Sequence, residues 1–192
     1  MIPTPPHRKR VTHFHEPGQY HELTLSCFRR LPLLTGDVCR RLLSHSIEQT
    51  MDRHHYRLVA FVYLPTHVHL LTFSEAAASR IDQLLRAIKR PFSFRVKQHL
   101  EANGSQLLSL LTVRQRPGVM TFRFWQEGPG YDRNLTRPEA ILAVIDYIHN
   151  NPVRRGLCQR VVEWRWSSAR YYHTEGEEQD SALPRIHGLP IG

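Results

Sequence analysis

The spacing of hydrophobic and polar residues switches along the chain between a two-residue period and a helical period, and these switches predict its secondary structure. Alternation predicts a first strand over residues 20–28. Apolar runs predict a second strand over residues 55–63 and, after a short turn at 64–66, a third that continues to Phe73. Residues 119–125 are rich in aromatics and predict a fourth strand. Helical periodicity predicts helices over residues 35–53, 77–100 and 137–151.

Individual residues predict where the first two helices begin and bend. Thr35 or Asp37 is expected to cap the first helix. Pro91 is expected to kink or interrupt the second, because proline lacks the amide hydrogen that a helix needs. The positions expected to face the core are Val38, Leu42, Ser46 and Ile47 in the first helix and Ile81, Leu84, Leu85 and Ile88 in the second.

The third helix has a capping pattern at its start and a proline at its end. Thr136 and Glu139 have the spacing of a capping box. The helix is expected to end near Asn151, since Pro152 disfavours helical geometry in the residue before it. Its buried stripe is expected to consist of Ile141, Ile145 and Ile148.

The order strand, helix, strand, strand, helix, strand is that of ferredoxin-like split βαβ folds. The sequence therefore predicts an α+β chain with an antiparallel sheet, helices packed on it, and additional C-terminal helices. We expect a flexible basic arm over residues 1–18, one domain over residues 19–172, and a polar, weakly packed tail over residues 173–192.

Composition indicates the kind of partner and compartment. The 192 residues carry 26 Lys and Arg against 17 Asp and Glu, a net charge of +9 that favours a polyanionic partner. Cys27, Cys39 and Cys158 are odd in number and lack close pairing, which favours a reducing cytosol. No apolar stretch approaches a membrane span, and the amino terminus lacks the apolar core of a signal peptide. We therefore expect a cytoplasmic protein without a membrane partner.

His67-Val68-His69 is the first candidate for chemistry. On a strand, residues two apart point to the same face, so His67 and His69 project together while Val68 and Leu70 point into a core. Two neutral imidazoles held side by side offer two ligands to a divalent metal. The alternative is a pair of ordinary surface histidines in a chain that holds 13.

Tyr147 and Asn151 are the second candidates. They are four residues apart and so share one helix face, at the flank of the buried isoleucine stripe. They could serve simply in packing and capping. A tyrosine hydroxyl can also act as a nucleophile that forms a covalent phosphoryl intermediate, with an amide oxygen nearby for a hard cation.

Four blocks occur in order and carry a resemblance: residues 64–71 (Leu-Pro-Thr-His-Val-His-Leu-Leu), Trp125-Gln126, residues 147–157 (Tyr-Ile-His-Asn-Asn-Pro-Val-Arg-Arg-Gly-Leu) and residues 164–169 (Trp-Arg-Trp-Ser-Ser-Ala). From about Tyr20 to Tyr172 the chain resembles the single-tyrosine HUH transposases, specifically the REP-associated tyrosine transposases. The His-x-His pair is unspecific by itself, and the two later blocks make the combination specific.

The resemblance implies a ferredoxin-like sheet and cleavage of single-stranded DNA beside a hairpin with Mg²⁺ or Mn²⁺. It makes His67 and His69 metal ligands and Tyr147 the nucleophile, whereas Asn151 stands where some relatives have a glutamine ligand. Cleavage would leave a 5′-phosphotyrosine and a free 3′-hydroxyl, which permits strand transfer without a nucleotide cofactor. The assembly is expected to be a monomer or homodimer.

Two departures from the family's usual motifs and one rival tyrosine bear on this interpretation. Leu64 and Thr66 replace the family's common Met and Asn, and neither is expected to touch the chemistry. Tyr131 follows Gly128-Pro129-Gly130 and is a rival nucleophile. Tyr147 is preferred because its helix places Asn151 beside it, whereas Tyr131 follows a flexible glycine pair.

DNA contacts are expected from arginines and from aromatic rings on which bases stack. The candidates flank the site in the sequence and are Arg123, Trp125, Arg133, Arg154 and Arg155. A helix that presents Arg80, Arg86, Lys89 and Arg90 could instead hold a hairpin stem.

Three other functions remain open from the sequence. The chain could be a catalytically silent, domesticated hairpin-DNA-binding protein of the same fold. It could be a metal-dependent hydrolase that does not act on DNA and uses water in place of Tyr147. A structural zinc domain is a third alternative, although three separated cysteines lack the usual ligand spacing.

Overall fold

The computed structural model describes residues 18–76, 79–128 and 130–189. Its strands are β1 (Tyr20–Ser26), β2 (Tyr56–Leu64), β3 (His67–Ser74), β4 (Thr112–Arg116), β5 (Val119–Phe122) and β6 (Tyr131–Leu135). Its helices are α1 (Asp37–His54), α2 (Ile81–Ala102), α3 (Leu107–Leu111), α4 (Pro138–Arg154) and α5 (Ala169–His173). The basic arm expected over residues 1–18 lies outside the described residues except for Gly18.

A four-stranded antiparallel sheet forms the centre of the molecule, with strand order β2-β3-β1-β6. β1 lies inside the sheet and pairs with β3 on one side and β6 on the other. This order, with α1 and α2 joining the strands, is that of a ferredoxin-like split βαβ unit. The predicted α+β class is confirmed, and α4 and α5 are the additional C-terminal helices.

The fourth strand of the sheet is not the predicted one. Residues 119–122 instead pair with β4 in a separate hairpin, which turns at Pro117-Gly118. The fourth strand is β6, which the sequence analysis missed because it is short, polar and at the sheet edge. Gly130 precedes it with a φ of +84°, and a Cβ there would lie 2.8 Å from the Thr24 carbonyl oxygen. Only glycine fits that approach.

Neither proline ends its helix. α2 runs through Pro91, which removes the hydrogen bond that the Ala87 carbonyl would have accepted. The Thr50 hydroxyl of α1 lies 3.3 Å from that carbonyl oxygen, but it lies closer, at 2.6 Å, to the Ser46 carbonyl oxygen of its own helix. The helix continues because residues on both sides of the proline, Ile88 and Phe92, are buried in the core. α4 likewise continues through Pro152 to Arg154, three residues beyond the predicted end.

The predicted helix caps and part of one stripe are wrong. Gly36 precedes α1 and Arg137 precedes α4, and neither makes a side-chain capping hydrogen bond. Thr136 lies one residue too early for the capping box. In α1, Val38 is 41% exposed, and the helix instead buries a stripe centred on Leu43 and Ile47. The expected stripes of α2 and α4 are confirmed.

The sheet separates two hydrophobic clusters. The larger lies on the side of α1 and α2, where it includes Leu23, Leu25, Val68 and Leu70 of the inner strands. The smaller lies on the side of α4, and its members are Val59, Ala60, Val62, Leu64, Leu71, Leu135, Ile141, Val144, Ile145 and Ile148. The smaller cluster does not cover the whole sheet face, and the polar remainder is the site described below.

The C-terminal segment packs more firmly than predicted. Ile186 is buried in the larger cluster, and the His187 amide donates to the Leu58 carbonyl at 3.1 Å. Arg165 forms an ion pair with Asp180 at 2.7 Å. The expectation of a weakly packed tail is wrong for these residues, because Ile186, a backbone hydrogen bond and an ion pair together hold the segment against the domain. No helix among the described residues is long and apolar enough to cross a membrane.

Candidate active site

β3 presents the two histidines on the sheet face that α4 covers. Val68 and Leu70 are fully buried on the opposite face, as the two-residue period requires. The imidazole centroids of His67 and His69 lie 4.9 Å apart, with the rings nearly perpendicular. The prediction that both side chains share one face of a sheet strand is confirmed.

A threonine hydroxyl lies against the Nδ1 atom of each histidine. Thr24 Oγ1 is 3.0 Å from His69 Nδ1, and Thr66 Oγ1 is 2.8 Å from His67 Nδ1. These contacts fix the rings and leave the Nε2 atoms for other partners. Thr66 therefore contacts the presumed chemistry, contrary to the expectation that this departure is neutral. His69 Nε2 is buried and has no hydrogen-bond partner.

Both imidazoles are held neutral. Burial, followed by the charges of Arg155 and Arg30, lowers the pKa of His67 to about 4. Burial, followed by the neighbouring His67 and by Arg155, lowers the pKa of His69 to about 3. Near neutral pH each ring therefore keeps one nitrogen lone pair, which is the form that binds a metal.

α4 brings Tyr147 to the histidines. Its isoleucine stripe packs on the sheet, which turns the flank that carries Tyr147 toward β3. The Tyr147 and His69 ring centroids are 5.4 Å apart, with the rings nearly perpendicular. The guanidinium carbon of Arg154 lies 5.6 Å from the Tyr147 ring centroid. β3 and α4 lie far apart in the sequence, and the fold brings their side chains together.

Asn151 is connected to the histidines through an arginine. Its side chain is 3% exposed, and its Oδ1 accepts a hydrogen bond from Arg155 Nε at 2.6 Å. Nη2 of Arg155 lies 3.4 Å from His67 Nε2. The guanidinium thus lies between the amide oxygen and the histidine, and the role of Asn151 as a metal ligand stays a prediction.

A cleft of about 200 Å³ opens over the histidines, and its walls include Tyr147, Arg155 and Arg30. A wider groove of about 440 Å³ adjoins it and shares Thr24, His69 and Tyr147. Tyr131 lies in the wall of that groove, 50% exposed, at the first position of β6 opposite Thr24. The rival tyrosine is therefore placed by a strand, not by a flexible glycine pair.

The predicted DNA-contacting residues fall into two groups. Arg154 and Arg155 lie at the cleft, and Arg133 lies at the groove, where it pairs with Glu22 at 2.8 Å. Arg123 pairs with Glu127 away from the histidines. Trp125 is 7% exposed and packs against Phe92 and Phe124, so its ring is unavailable for stacking with a base.

Sequence reasoning missed Thr24 and Arg30. The alternation of β1 could have revealed Thr24, since it lies between the buried Leu23 and Leu25. Nothing in the sequence marks Arg30, because its place depends on an unusual backbone. Arg29 and Arg30 have φ of 51° and 55°, a left-handed conformation that costs a non-glycine residue about 1 kcal/mol or more.

The protein groups around the cleft fit a metal with an incomplete protein shell. Among the described residues, no group of three His, Cys, Asp or Glu side chains could hold a metal ion. The histidine pair would supply two nitrogen ligands, and one of them, His69 Nε2, is buried without a hydrogen-bond partner. Water and phosphate oxygens would have to complete the coordination.

A His-x-His strand, a facing helix tyrosine and a ferredoxin-like sheet form the arrangement that the resemblance to single-tyrosine HUH transposases predicts. No family model matches the chain. The chain is 26% identical over 121 residues to a Haemophilus influenzae protein named "Putative REP-associated tyrosine transposase". The match spans 63% of each chain.

A solved structure shows the same fold. It is that of a REP-associated tyrosine transposase bound to a REP hairpin, with a TM-score of 0.67 and 20% identity. The match covers 96% of this chain and 99% of that one. The predicted resemblance to REP-associated tyrosine transposases is confirmed by a relative in sequence and by a neighbour in fold.

Proposed function

We propose that this chain cleaves single-stranded DNA beside a hairpin and rejoins strands, with Tyr147 as the nucleophile. The observation that carries the proposal is the approach of Tyr147 to the oriented, neutral histidine pair, with 5.4 Å between the Tyr147 and His69 ring centroids. The named relative, the hairpin bound to the structural neighbour and the net charge of +9 support a DNA substrate.

His67 and His69 would hold Mg²⁺ or Mn²⁺, with water and phosphate oxygens as the other ligands. The bound ion would supply charge to polarise the scissile phosphate. Asn151 would assist by its amide oxygen once Arg155 releases it, and Arg155 would then be free to contact a phosphate. Because threonine hydroxyls occupy the Nδ1 atoms, the Nε2 atoms would be the ones that bind the ion.

Tyr147 forms the covalent link. Its phenolic oxygen bonds to phosphorus as the bond from phosphorus to the 3′-oxygen breaks, which gives a 5′-phosphotyrosine and a 3′-hydroxyl. The phenol proton passes to water, and the departing 3′-oxygen takes a proton from water. Because the new bond is still a phosphodiester, a second 3′-hydroxyl can reverse the step and join strands without ATP. Arg154 lies beside the Tyr147 ring, and its positive charge would offset the negative charge that develops during the attack.

The test uses labelled DNA hairpins whose single-stranded flanks are randomised, so that no target needs to be known. The wild-type chain with Mn²⁺ should give cut DNA and a covalent adduct that survives denaturing electrophoresis. Tyr147→Phe removes one oxygen and keeps the ring, so folding and binding should persist while cleavage and adduct disappear.

Tyr131→Phe is the matched control, since it removes the same oxygen from the other tyrosine near the histidines. It should leave the adduct intact. If Tyr147→Phe still forms the adduct and Tyr131→Phe does not, the nucleophile is Tyr131. Hairpin binding without any cleavage or adduct would instead favour the catalytically silent DNA-binding protein. Turnover without an adduct would favour a hydrolase.

A further inference from the structure

Two consecutive arginines directly after β1 adopt a backbone conformation that glycine normally occupies. Arg29 and Arg30 both have positive φ, in a short 3₁₀ turn that spans Phe28–Arg30. Strain of this kind persists only where the surroundings impose it, and it concentrates at functional sites. The conformation of the pair therefore raises the question of what it positions.

Hydrogen bonds of backbone amides hold the start of the turn and the chain that follows it. The Phe28 amide donates to the Phe124 carbonyl at 2.7 Å, and the Arg29 amide donates to the Gln126 side chain at 3.1 Å. Beyond the turn, the Leu34 amide donates to the Pro65 carbonyl at 2.9 Å. Since Phe28 and Leu34 are also buried, the chain between them has few ways to relax.

The two side chains go to different places. The guanidinium carbon of Arg29 lies over the Phe28 ring, 4.9 Å from its centroid. Arg30 forms part of the wall of the cleft that contains His67, His69 and Tyr147. Within the described residues, no carboxylate forms an ion pair with Arg30, in contrast to Arg123 and Arg133. An arginine charge is thus directed into a cleft without a protein anion to balance it.

Arg155 lies in the wall of the same cleft, near the Nε2 atom of His67. Arg30 and Arg155 therefore both border the space in front of His67. Guanidinium groups bind phosphate oxygens through planar, paired hydrogen bonds, which makes an unpaired arginine in such a cleft suited to a phosphate group.

We propose that Arg30 is a substrate-positioning residue that binds a backbone phosphate of the DNA strand at the histidine cleft, and that the left-handed Arg29–Arg30 pair serves to direct it there. This inference rests on the proposed function, because it requires DNA in the cleft. Arg30 would add a phosphate-binding group from the turn after β1 to those of Arg154 and Arg155 at the C-terminal end of α4.

Arg30→Gly and Arg29→Gly form a matched pair of variants. Each removes one positive charge from the same turn, and each places glycine where φ is positive, so both should fold with an unchanged or raised melting temperature. Binding is measured with labelled oligothymidine, which presents phosphates without a hairpin, and with the hairpin library used above. Arg30→Gly should weaken binding about tenfold or more, whereas Arg29→Gly should change it less than about twofold.

Arg30→Lys keeps the charge and the left-handed backbone, and it should recover part of the lost affinity. Cleavage at saturating DNA should also be slower for Arg30→Gly than for Arg29→Gly, since a loosely held phosphate is poorly aligned with Tyr147. Equal effects of the two glycine variants would overturn the proposal, because they would show only a loss of general charge. An Arg30→Gly variant with wild-type binding and cleavage would overturn it as well.

The outcomes also separate this inference from the proposed function. If the wild-type chain binds DNA but never cleaves it, the proposed function fails while the binding comparison still tests Arg30. If the wild type cleaves through Tyr147 and the two glycine variants behave alike, only the inference about Arg30 fails. Absence of any DNA binding by the wild type would overturn both.

Discussion

The two faces of the central sheet use the same strands for different purposes. On β3, Val68 and Leu70 point to the α1 and α2 side and are fully buried among apolar residues. His67 and His69 alternate with them and point to the α4 side, where threonines, arginines and Tyr147 surround them. Adjacent residues of one strand therefore belong to different environments.

This alternation separates stability from chemistry. The α1 and α2 face is a continuous and mostly apolar core, in which the few polar atoms belong to aromatic side chains such as Tyr63 and Trp125. The α4 face holds a smaller apolar cluster and, beside it, a cleft with an unpartnered His69 Nε2. Substitutions of neighbouring residues on β3 should thus have opposite effects, one mainly on cleavage and the other mainly on the free energy of unfolding. The predictions below test that opposition.

The largest effect is expected from His69→Ala. Cleavage should fall by at least about 1,000-fold, because one of the two proposed nitrogen ligands and the ring beside Tyr147 are both lost. The free energy of unfolding should change by only about 1 kcal/mol or less, since the imidazole carries a buried nitrogen without a partner. Adduct formation and chemical denaturation are the two measurements. A loss of several kcal/mol would show that the histidine face also holds the fold together.

Leu70→Ala should give the reverse pattern. Removing a fully buried leucine from the larger cluster should lower the free energy of unfolding by about 2–5 kcal/mol. Well below its melting temperature, the folded fraction should still form the adduct at nearly the wild-type rate. If adduct formation per folded molecule collapses along with stability, the two faces are coupled and the comparison does not hold.

A smaller effect is expected from acid. Burial lowers the pKa of His149 to about 4 from an ordinary 6.5, and its Nε2 lies 2.8 Å from the Ser168 hydroxyl. As the pH falls from 6.5 toward 4, the unfolded chain takes up a proton at this residue that the folded chain does not, so folded stability decreases across that interval. Above pH 6.5 this residue should contribute no pH dependence.

His149→Gln keeps a hydrogen-bonding group without the titration, so its stability should decline less steeply in that interval than that of the wild type. Denaturation midpoints measured from neutral pH to about pH 4 provide the comparison. Identical slopes for the two proteins would show that other groups on the α4 side, such as His67 and His69, account for the whole acid sensitivity.

Strong periodicity made the centre of the fold predictable. The β2–β3 hairpin follows from two apolar runs with a turn between them, and the α4 stripe follows from its three isoleucines. β6 could not be predicted in the same way, because an edge strand beside an open groove needs few hydrophobic residues. The persistence of α2 through Pro91 depends on tertiary packing, since Ile88, Phe92 and Val96 around the proline are buried in the larger cluster.

In the candidate site, too, local features were predictable from the sequence and features that depend on tertiary packing were not. The face shared by the histidines is a local property of β3 and was predictable from their spacing. The approach of Tyr147 to His69 was predictable only through the resemblance, because it depends on how α4 packs. Arg30 was out of reach, since a pair of arginines does not reveal a left-handed backbone. The prediction that Trp125 stacks on a DNA base was wrong, because an aromatic residue close to a site in the sequence can equally pack in the hydrophobic core.

The Trp-Arg-Trp-Ser-Ser block, residues 164–168, has a structural role that could not be predicted from its sequence. β2 is an edge strand of the sheet, and unpaired backbone groups at such an edge can pair with a strand of another chain. The Tyr63 amide instead donates to the Trp166 carbonyl at 2.8 Å, and the Ser168 amide donates to the Phe61 carbonyl at 3.0 Å. The block therefore blunts this edge against intermolecular strand addition, and damage to it should appear first as aggregation.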